Sequence, residues 1–341
     1  MSSAPWCCAS FRAGSNPVNR RELLTLGMIA ALPAPVLAQQ PTAMRRLGML
    51  SVTAADDAIG HTRSMVLVEA LAGLGWKERD NLKVHWRSGG ADRARIAQLA
   101  DELIALKPDI LLAVGTPSLE ELSRRTTTIP IVFAVVTDPV SQGFVENLAH
   151  PGGNVTGFTD YDGPLAGKWL EMLTQVTPKV SRVAVVYNPA TAPFAPLMLR
   201  TIEDAARTLH VTVEPAPVHD TASIVALASR KADGLLVLPD FFTMANRTRL
   251  LAAIAEARVP AVFWSRAFVE EGGLMSYSTD SAEQLRRAAS YVDRILRGAR
   301  AADLPVQNPT RFELTINLKT AKALGITLPA VLLAIANDVI E

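Results

Sequence analysis

Cysteine is almost missing from this chain of 341 residues, which contains only Cys7 and Cys8. Both lie in the first 38 residues, within a segment that we interpret below as a cleaved leader. The processed chain would then have no disulfide, no thiol nucleophile and no cysteine metal ligand. Neither cysteine directly follows the apolar run at 23–35, so we also expect no lipid anchor at that place.

Motifs for a metal, a cofactor or catalysis are missing as well. The sequence has no Gly-x-Ser-x-Gly elbow, no His-Glu-x-x-His and no Gly-x-Gly-x-x-Gly turn. The glycines of Gly163-Pro164-Leu165-Ala166-Gly167-Lys168 are one residue too close for a phosphate loop. The five histidines lack metal-ligand spacing: His61, His85, His150, His210 and His219. We therefore expect no cofactor, no metal and no enzyme activity.

An excess of charge of either sign is also lacking, since the formal net charge is +1. Without a long basic run, neither a nucleic acid nor an anionic membrane surface is indicated as a partner. Apolar residues make up 49% and charged residues 20%, which is ordinary globular composition. The length exceeds what one hydrophobic core usually holds, so two domains are expected.

The N-terminus has the pattern of a secretory leader. Arg20 and Arg21 precede the apolar run at 23–35, which is too short to span a bilayer. Val36 and Ala38 supply the compact residues that a signal peptidase requires, so residues 1–38 are predicted to be removed after Ala38. The paired arginines leave both the general secretory and the twin-arginine route open. A periplasmic protein is expected.

Beyond residue 45, short apolar runs alternate with helical patterns, which predicts an α/β fold with parallel sheets. The order repeats in the second half, where Ala232-Asp233-Gly234-Leu235-Leu236 parallels Pro108-Asp109-Ile110-Leu111-Leu112. We therefore predict two doubly wound, Rossmann-like lobes joined by a multi-strand hinge. The predicted limits are 45–159 for the N-terminal lobe, which helix 284–298 rejoins, and 160–282 for the C-terminal lobe, which 310–341 joins.

Ligands of open parallel sheets bind beyond the carboxyl ends of the strands. Two facing lobes would therefore place two sets of strand-end loops across one cleft, and a small molecule is the expected ligand. Ser51 and Asp138 lie at such ends in the first lobe, and Asn188 and Asp240 in the second.

Seven segments, spread over nearly all of the processed chain, resemble one known family. They are Thr116-Pro117, Ile129-Pro130-Ile131-Val132-Phe133, Asp138-Pro139-Val140, Pro151-Gly152-Gly153-Asn154-Val155-Thr156-Gly157, Gly272-Gly273-Leu274-Met275-Ser276-Tyr277, Ala302-Asp303-Leu304-Pro305-Val306 and Ile316-Asn317-Leu318-Lys319-Thr320-Ala321-Lys322. The chain resembles the substrate-binding proteins of ABC transporters, in the tryptophan/tyrosine-type group. The resemblance implies a type I periplasmic binding fold and an ABC permease in the inner membrane as the partner of a monomeric protein.

The resemblance also implies a ligand with an amino-acid-like head group, whose carboxylate is held by hydroxyls and backbone N–H groups at a helix start. Thr116 and Ser118 match that role. The segment Gly115-Thr116-Pro117-Ser118 also opens a predicted helix through Arg125, and a helix N-terminus attracts an anion. The alternative is that Thr116 or Ser118 only caps this helix.

Asp240 could bind a ligand ammonium through a charge-assisted hydrogen bond, or it could cap the helix that follows. Asp138 and Asn188 each precede a proline, so they either touch the ligand or shape a turn. Phe241 and Tyr277 are the aromatic residues that we expect to stack on a flat ligand.

The function predicted from the sequence is capture of a small amino-acid-like or carboxylate solute and its delivery to a permease. Two alternatives stay open: an exported α/β enzyme that acts on a small molecule, and a ligand-sensing protein of the same fold. A sensing repressor is disfavoured by the leader and by the lack of a basic helix-turn-helix.

Overall fold

The computed structural model describes residues 44–54, 57–161, 163–177 and 179–341. The predicted leader at 1–38 lies outside the described residues. Strands and helices alternate along the described chain and form an α/β fold with two sheets. Over these ranges, no helix has both the length and the apolar character needed to cross a membrane.

The first lobe is built on a sheet of parallel strands: Arg45–Ser51 (β1), Leu82–Ser88 (β2), Ile110–Val114 (β3), Ile131–Val136 (β4) and Val155–Thr159 (β5). Their order in the sheet is β2-β1-β3-β4-β5. Every residue of β3 and β4 is buried, because helices cover both faces of the sheet. These helices are Ala58–Gly73 (α1), Arg93–Ala105 (α2) and Thr116–Arg125 (α3).

The second lobe contains Arg182–Tyr187 (β6), Thr212–Pro217 (β7), Gly234–Val237 (β8), Ala261–Phe263 (β9), Met275–Thr279 (β10), Phe312–Asn317 (β11) and Asp338–Ile340 (β12). The sheet has the order β12-β11-β10-β9-β8-β6-β7, and β11 runs antiparallel to β10. Its helices are Gly163–Val176 (α4), Ala195–Leu209 (α5), Thr221–Val225 (α6), Phe241–Ala245 (α7), Arg247–Ala257 (α8), Arg266–Glu270 (α9), Leu318–Ala323 (α11) and Ala330–Ile335 (α12).

The buried Trp169 of α4 anchors the second lobe. Its Nε1 donates a hydrogen bond to the backbone oxygen of Tyr277 at 2.8 Å, so α4 is fixed to β10 by a polar contact as well as by apolar packing.

The chain crosses between the lobes in three segments of the described residues: after β5 at Asp160, after β10 at Asp280, and at 307–311 before β11. We call this place the crossover region. Helix α10 (Ser281–Leu296) follows a strand of the second sheet but packs on the first sheet through Leu285 and Val292. It begins at Ser281 because the Asp280 side chain accepts from the backbone N–H groups of residues 282 and 283.

Candidate functional site

The first wall of the cleft between the lobes is the start of α3. Gly115 leaves β3 with φ of +91°, and no side chain in the described part of the chain caps the helix that follows. Thr116 and Ser118 are both buried, and Ser118 Oγ has no hydrogen-bond partner among the described residues. The backbone N–H groups of residues 118 and 119 bond the Gly115 oxygen, and Pro117 has no N–H. The helix end still carries a partial positive charge, which favours an anionic group nearby.

Asp240 begins α7 on the facing lobe, and its carboxylate is engaged by the protein itself. Oδ1 accepts from the Phe242 N–H at 2.9 Å and from the Thr191 hydroxyl, while Oδ2 accepts from the Asn188 N–H at 2.8 Å. Burial raises the pKa of Asp240 to about 6, although these three donors oppose the shift. The structure thus shows Asp240 as the cap of α7, one of the two alternatives that the sequence left open, and its carboxylate ties this loop to Asn188 and Thr191. The contact with a ligand ammonium stays a prediction.

Phe241, directly after Asp240, makes contact with the other lobe. Its ring lies against Gly115, where an added Cβ would stand 2.9 Å from Phe241 Cε2. On its own lobe, the ring meets Trp264 at 6.1 Å between centroids in an edge-on arrangement. Arg93 adds a second contact between the lobes, since its Nη1 donates to the Ala190 oxygen at 3.0 Å. The strand-end loops of the two sheets therefore face and touch each other.

Ser51 lies beside a different space. Its hydroxyl pairs with the Thr53 hydroxyl at 2.8 Å, and both line a cavity of about 660 Å³ next to α1 and β2. Met49 and Trp86 give the cavity apolar walls. Ser51 is thus at a strand end, as its position in the sequence indicated, but at the edge of the first lobe.

Two of the candidate residues have local structural roles. Asp138 is in a left-handed conformation with φ of +44°, and its Oδ1 accepts from the Ser141 N–H at 3.1 Å. Asp138 therefore shapes a turn, which is one of the two roles that the sequence left open for it. The Tyr277 ring stacks on Phe312 of the neighbouring strand at 5.5 Å and 20°. Its exposed face is therefore reduced by packing within the second sheet.

A smaller cavity of about 190 Å³ lies at the crossover region. Its wall includes Arg63 of α1, Asp160 after β5, Trp264 after β9 and the hydroxyl residues Ser265 and Ser278. Arg63 is only 7% exposed and Asp160 only 3%. A buried cation and a buried anion thus line one polar space between the lobes.

Burial acts on both charged groups of this cavity. It lowers the pKa of Arg63, while the nearby charges of Asp160 and Asp57 oppose that shift. It raises the pKa of Asp160, against hydrogen bonds from Thr279 and Gln284 and against the Arg63 charge. Both shifts have the same origin, the loss of water around an ionised group.

Residues 50–340 match the family model described as ABC transporter substrate binding protein. The chain belongs to this family. Among curated proteins, the tyrosine-binding protein of Clostridioides difficile (strain R20291) is 28% identical over 260 residues, which cover 75% of this chain and 74% of that protein.

Solved structures agree with this membership. A conserved domain protein of Vibrio cholerae superposes with a TM-score of 0.81 at 28% identity, covering 87% of this chain and 99% of that one. A domain from Streptococcus pneumonia in complex with L-Trp also has a TM-score of 0.81, at 26% identity, and the match covers 87% of this chain and all of that one. A solute binding protein from Agrobacterium vitis with bound allitol, at 14% identity and a TM-score of 0.60, shares the fold. The type I periplasmic binding fold predicted from the sequence is confirmed.

The sequence did not single out Arg63, although its guanidinium is the buried cation nearest the crossover region. Arg63 lies within the helical pattern of α1, where an arginine is normally a solvated surface residue. Its burial arises because α1 packs against α10, which is more than 200 residues away along the chain. Asp160 directly follows strand β5, but nothing in its sequence neighbours indicates a charged partner.

We expect Phe241→Ala to open this substrate-binding protein in the absence of ligand. The truncation removes apolar contact between the lobes worth about 1.5 kcal/mol, which would shift the ratio of closed to open molecules roughly tenfold toward the open form. Small-angle X-ray scattering of the ligand-free protein should then give a larger radius of gyration than the wild type.

Phe242→Ala is the matched control, because Phe242 packs on the core of its own lobe. It should change the free energy of unfolding without changing the radius of gyration. An unchanged radius in Phe241→Ala, or an equal increase in both variants, would remove Phe241 from the contact that closes the lobes.

Proposed function

We propose that this protein captures a small amino-acid-like or carboxylate solute between its lobes outside the cytoplasm and delivers it to the permease of an ABC importer. Two relatives, a tyrosine-binding protein and a domain solved in complex with L-Trp, support an amino acid as the solute class. The predicted leader supports export. The fold supports capture by a cleft that closes.

One observation carries the proposal. The strand-end loops of the two sheets meet at Phe241 and Gly115, and buried polar groups near that contact have no partner in the described residues, namely Ser118 Oγ and Trp264 Nε1. A buried polar group without a hydrogen bond costs about 1–3 kcal/mol, so such groups call for a ligand or water. A polar solute between the lobes would satisfy them.

In the proposed mechanism, the solute stabilises the closed arrangement by touching both lobes. Thr116 and Ser118 bind it from the first lobe, and Phe241 contacts it from the second. Asp240 and Asn188 fix the loop that carries Phe241, and they need not touch the solute. Because a ligand shifts an equilibrium only by its differential affinity, contacts on both lobes favour the closed form, which the permease then recognises.

Thermal melting with a panel of amino acids and small carboxylates tests this function. A ligand at about 100 times its Kd adds about 2.7 kcal/mol to the free energy of unfolding, which should raise the Tm by several degrees. We expect at least one α-amino acid to do so, with L-tyrosine and L-tryptophan tested first.

Allitol serves as the control solute, because the protein that binds it shares only the fold with this chain. It should leave the Tm unchanged. The proposal fails if no amino acid or carboxylate shifts the Tm, and an enzyme is indicated instead if the purified protein converts any member of the panel.

A further inference from the structure

Arg63 has unused hydrogen-bonding capacity in a buried place. Within the described ranges, its one hydrogen bond runs from Nε to Ser281 Oγ at 3.1 Å, and it forms no ion pair within 4.0 Å. A guanidinium has five N–H donors, so four remain without an acceptor among the described residues. A charged group that is 93% buried is normally paired, and this one instead lines the cavity of the crossover region.

The carboxylate of Asp160 has hydrogen-bond donors on only one of its two oxygens. Its Oδ1 accepts from the Thr279 hydroxyl and from Gln284 Nε2, the latter at 2.8 Å. In the part of the chain that the structure describes, no donor reaches Oδ2, although the side chain lines the same cavity as Arg63. The two opposite charges therefore line one cavity without forming an ion pair with each other.

We infer that Arg63 and Asp160 form the subsite for a zwitterionic α-amino acid head group, with the solute carboxylate on the Arg63 guanidinium and its ammonium on Asp160 Oδ2. This places the carboxylate on Arg63 instead of at the start of α3, and it leaves Thr116 and Ser118 to a polar group at the other end of the solute. A guanidinium matches a carboxylate in geometry, and both contacts are charge-assisted hydrogen bonds in a place with little water. This inference rests on the proposed function and locates the charged end of its solute.

The dimensions and walls of the cavity fit a head group. A volume of about 190 Å³ is below the roughly 300–1,000 Å³ that is usual for a whole ligand pocket, so it suits a carboxylate and an ammonium but not a large ligand as a whole. Trp264 lines this cavity and also contacts Phe241, so an apolar side chain of the solute could extend along Trp264 toward the contact between the lobes.

The other charged side chains that line the cavity already form ion pairs or cap a helix. Arg266 pairs with Glu270 and Asp338 at 2.7 and 2.6 Å, and the Asp280 side chain caps α10. Glu313 lies 3.5 Å from Arg311. Arg63 and Asp160 are therefore the pair in which the described residues leave atoms available to a ligand.

The position of the pair links binding to closure. Arg63 belongs to the first lobe, Asp160 lies where the chain leaves it, and the Ser281 partner lies where the chain returns. In the proposed closure of the lobes, a head group held by these residues would order the crossover region.

The test combines two variants with matched ligands and isothermal titration calorimetry. L-Tyrosine is compared with L-tyrosinamide, which lacks the carboxylate, and with 3-(4-hydroxyphenyl)propanoate, which lacks the ammonium; L-tryptophan is treated in the same way. In the wild type, each loss should weaken binding about 10- to 100-fold. In Arg63→Gln, L-tyrosine and L-tyrosinamide should bind with Kd values within about threefold of each other. In Asp160→Asn, L-tyrosine and 3-(4-hydroxyphenyl)propanoate should bind with Kd values within about threefold of each other.

Arg266→Gln is the matched control, because Arg266 lines the same cavity but is 44% exposed and paired. Its selectivity should equal that of the wild type. The subsite is wrong, and the proposed function stands, if the wild type binds L-tyrosinamide with the same Kd as L-tyrosine. The same conclusion follows if Arg63→Gln keeps the full preference of the wild type for L-tyrosine over L-tyrosinamide. If neither amino acid series binds the wild type, the inference falls together with the proposed solute class. The wild-type comparison holds even if a variant fails to fold.

Discussion

Gly157→Ala should lower the free energy of unfolding by about 4 kcal/mol or more, an effect at the upper end for single substitutions. Gly157 lies in β5 with φ of +156°, and a Cβ there would stand 2.2 Å from the backbone oxygen of Phe133 and 2.6 Å from its nitrogen. The obstructing atoms are backbone atoms of the neighbouring strand β4, so no rotamer change can make room. Either β4 and β5 separate or their pairing shifts.

The damage should reach the crossover region as well. The Gly157 oxygen accepts from the Gln307 N–H at 3.0 Å, and Gln307 lies in the last segment that crosses between the lobes. Urea denaturation should therefore show a lower midpoint for Gly157→Ala, or the variant should not accumulate as folded protein.

Gly153→Ala is the control for the loss of a glycine in the same segment. An added Cβ at Gly153 meets nothing within 4 Å, so the change should stay within about 0.5 kcal/mol of the wild type. A Gly157→Ala variant as stable as Gly153→Ala would contradict the close approach of β4 and β5.

Asp240→Ala should destabilise the protein by about 3 kcal/mol, because three donors lose their acceptor together. Two of them are the buried N–H of Asn188 and the buried hydroxyl of Thr191, and neither can turn to solvent. Urea denaturation at pH 7.5 measures the loss. The loop that carries Phe241 should loosen with it, so ligand affinity should fall even though Asp240 need not touch the solute.

Asp220→Ala is the matched control, since Asp220 caps α6 in an exposed place. Loss of an exposed cap costs about 1 kcal/mol. If Asp240→Ala costs no more than Asp220→Ala, the network around Asp240 contributes less than its geometry indicates.

The pH dependence of stability gives Asp240 a second signature. The pKa of its carboxyl is raised from 3.8 in the unfolded chain to about 6 in the folded protein. Between these values, the folded state binds a proton that the unfolded state has lost, so this carboxyl stabilises the fold below about pH 4 and the contribution disappears as the pH rises through about 6. The total is on the order of 3 kcal/mol, so the free energy of unfolding of the wild type relative to Asp240→Asn should fall by about that amount as the pH rises from about 4 to about 7 in urea denaturation. A difference that does not change with pH would contradict the raised pKa.

The periodicity of the sequence predicted the two sheets well because the signal is local. Runs such as 110–114 and 131–136 are apolar throughout, which is typical of parallel strands covered on both faces, and both form fully buried strands. The placement of Thr116 and Ser118 at a helix start was likewise readable, since Gly115 and Pro117 are the residues that a strand-to-helix turn requires.

The roles of the individual strand-end residues at the cleft could not be predicted from local sequence patterns. Asp240 and Asp138 occupy strand ends, as the sequence indicated, but their carboxylates bind nearby backbone and hydroxyl groups. Whether a strand-end carboxylate faces a ligand or its own loop depends on donors brought in by other segments, such as Asn188 and Thr191, about 50 residues away from Asp240.

By itself, the sequence determined the family, the α/β alternation and the pairing of two similar halves, because these follow from local periodicity and from motifs that are contiguous in the chain. Only the tertiary structure decided which charges are buried together. Arg63 and Asp160 are 97 positions apart in the printed sequence, and they share a cavity because α1, α10 and the crossover region pack there. Burial and unused hydrogen bonds arise from that packing, and no local pattern encodes them.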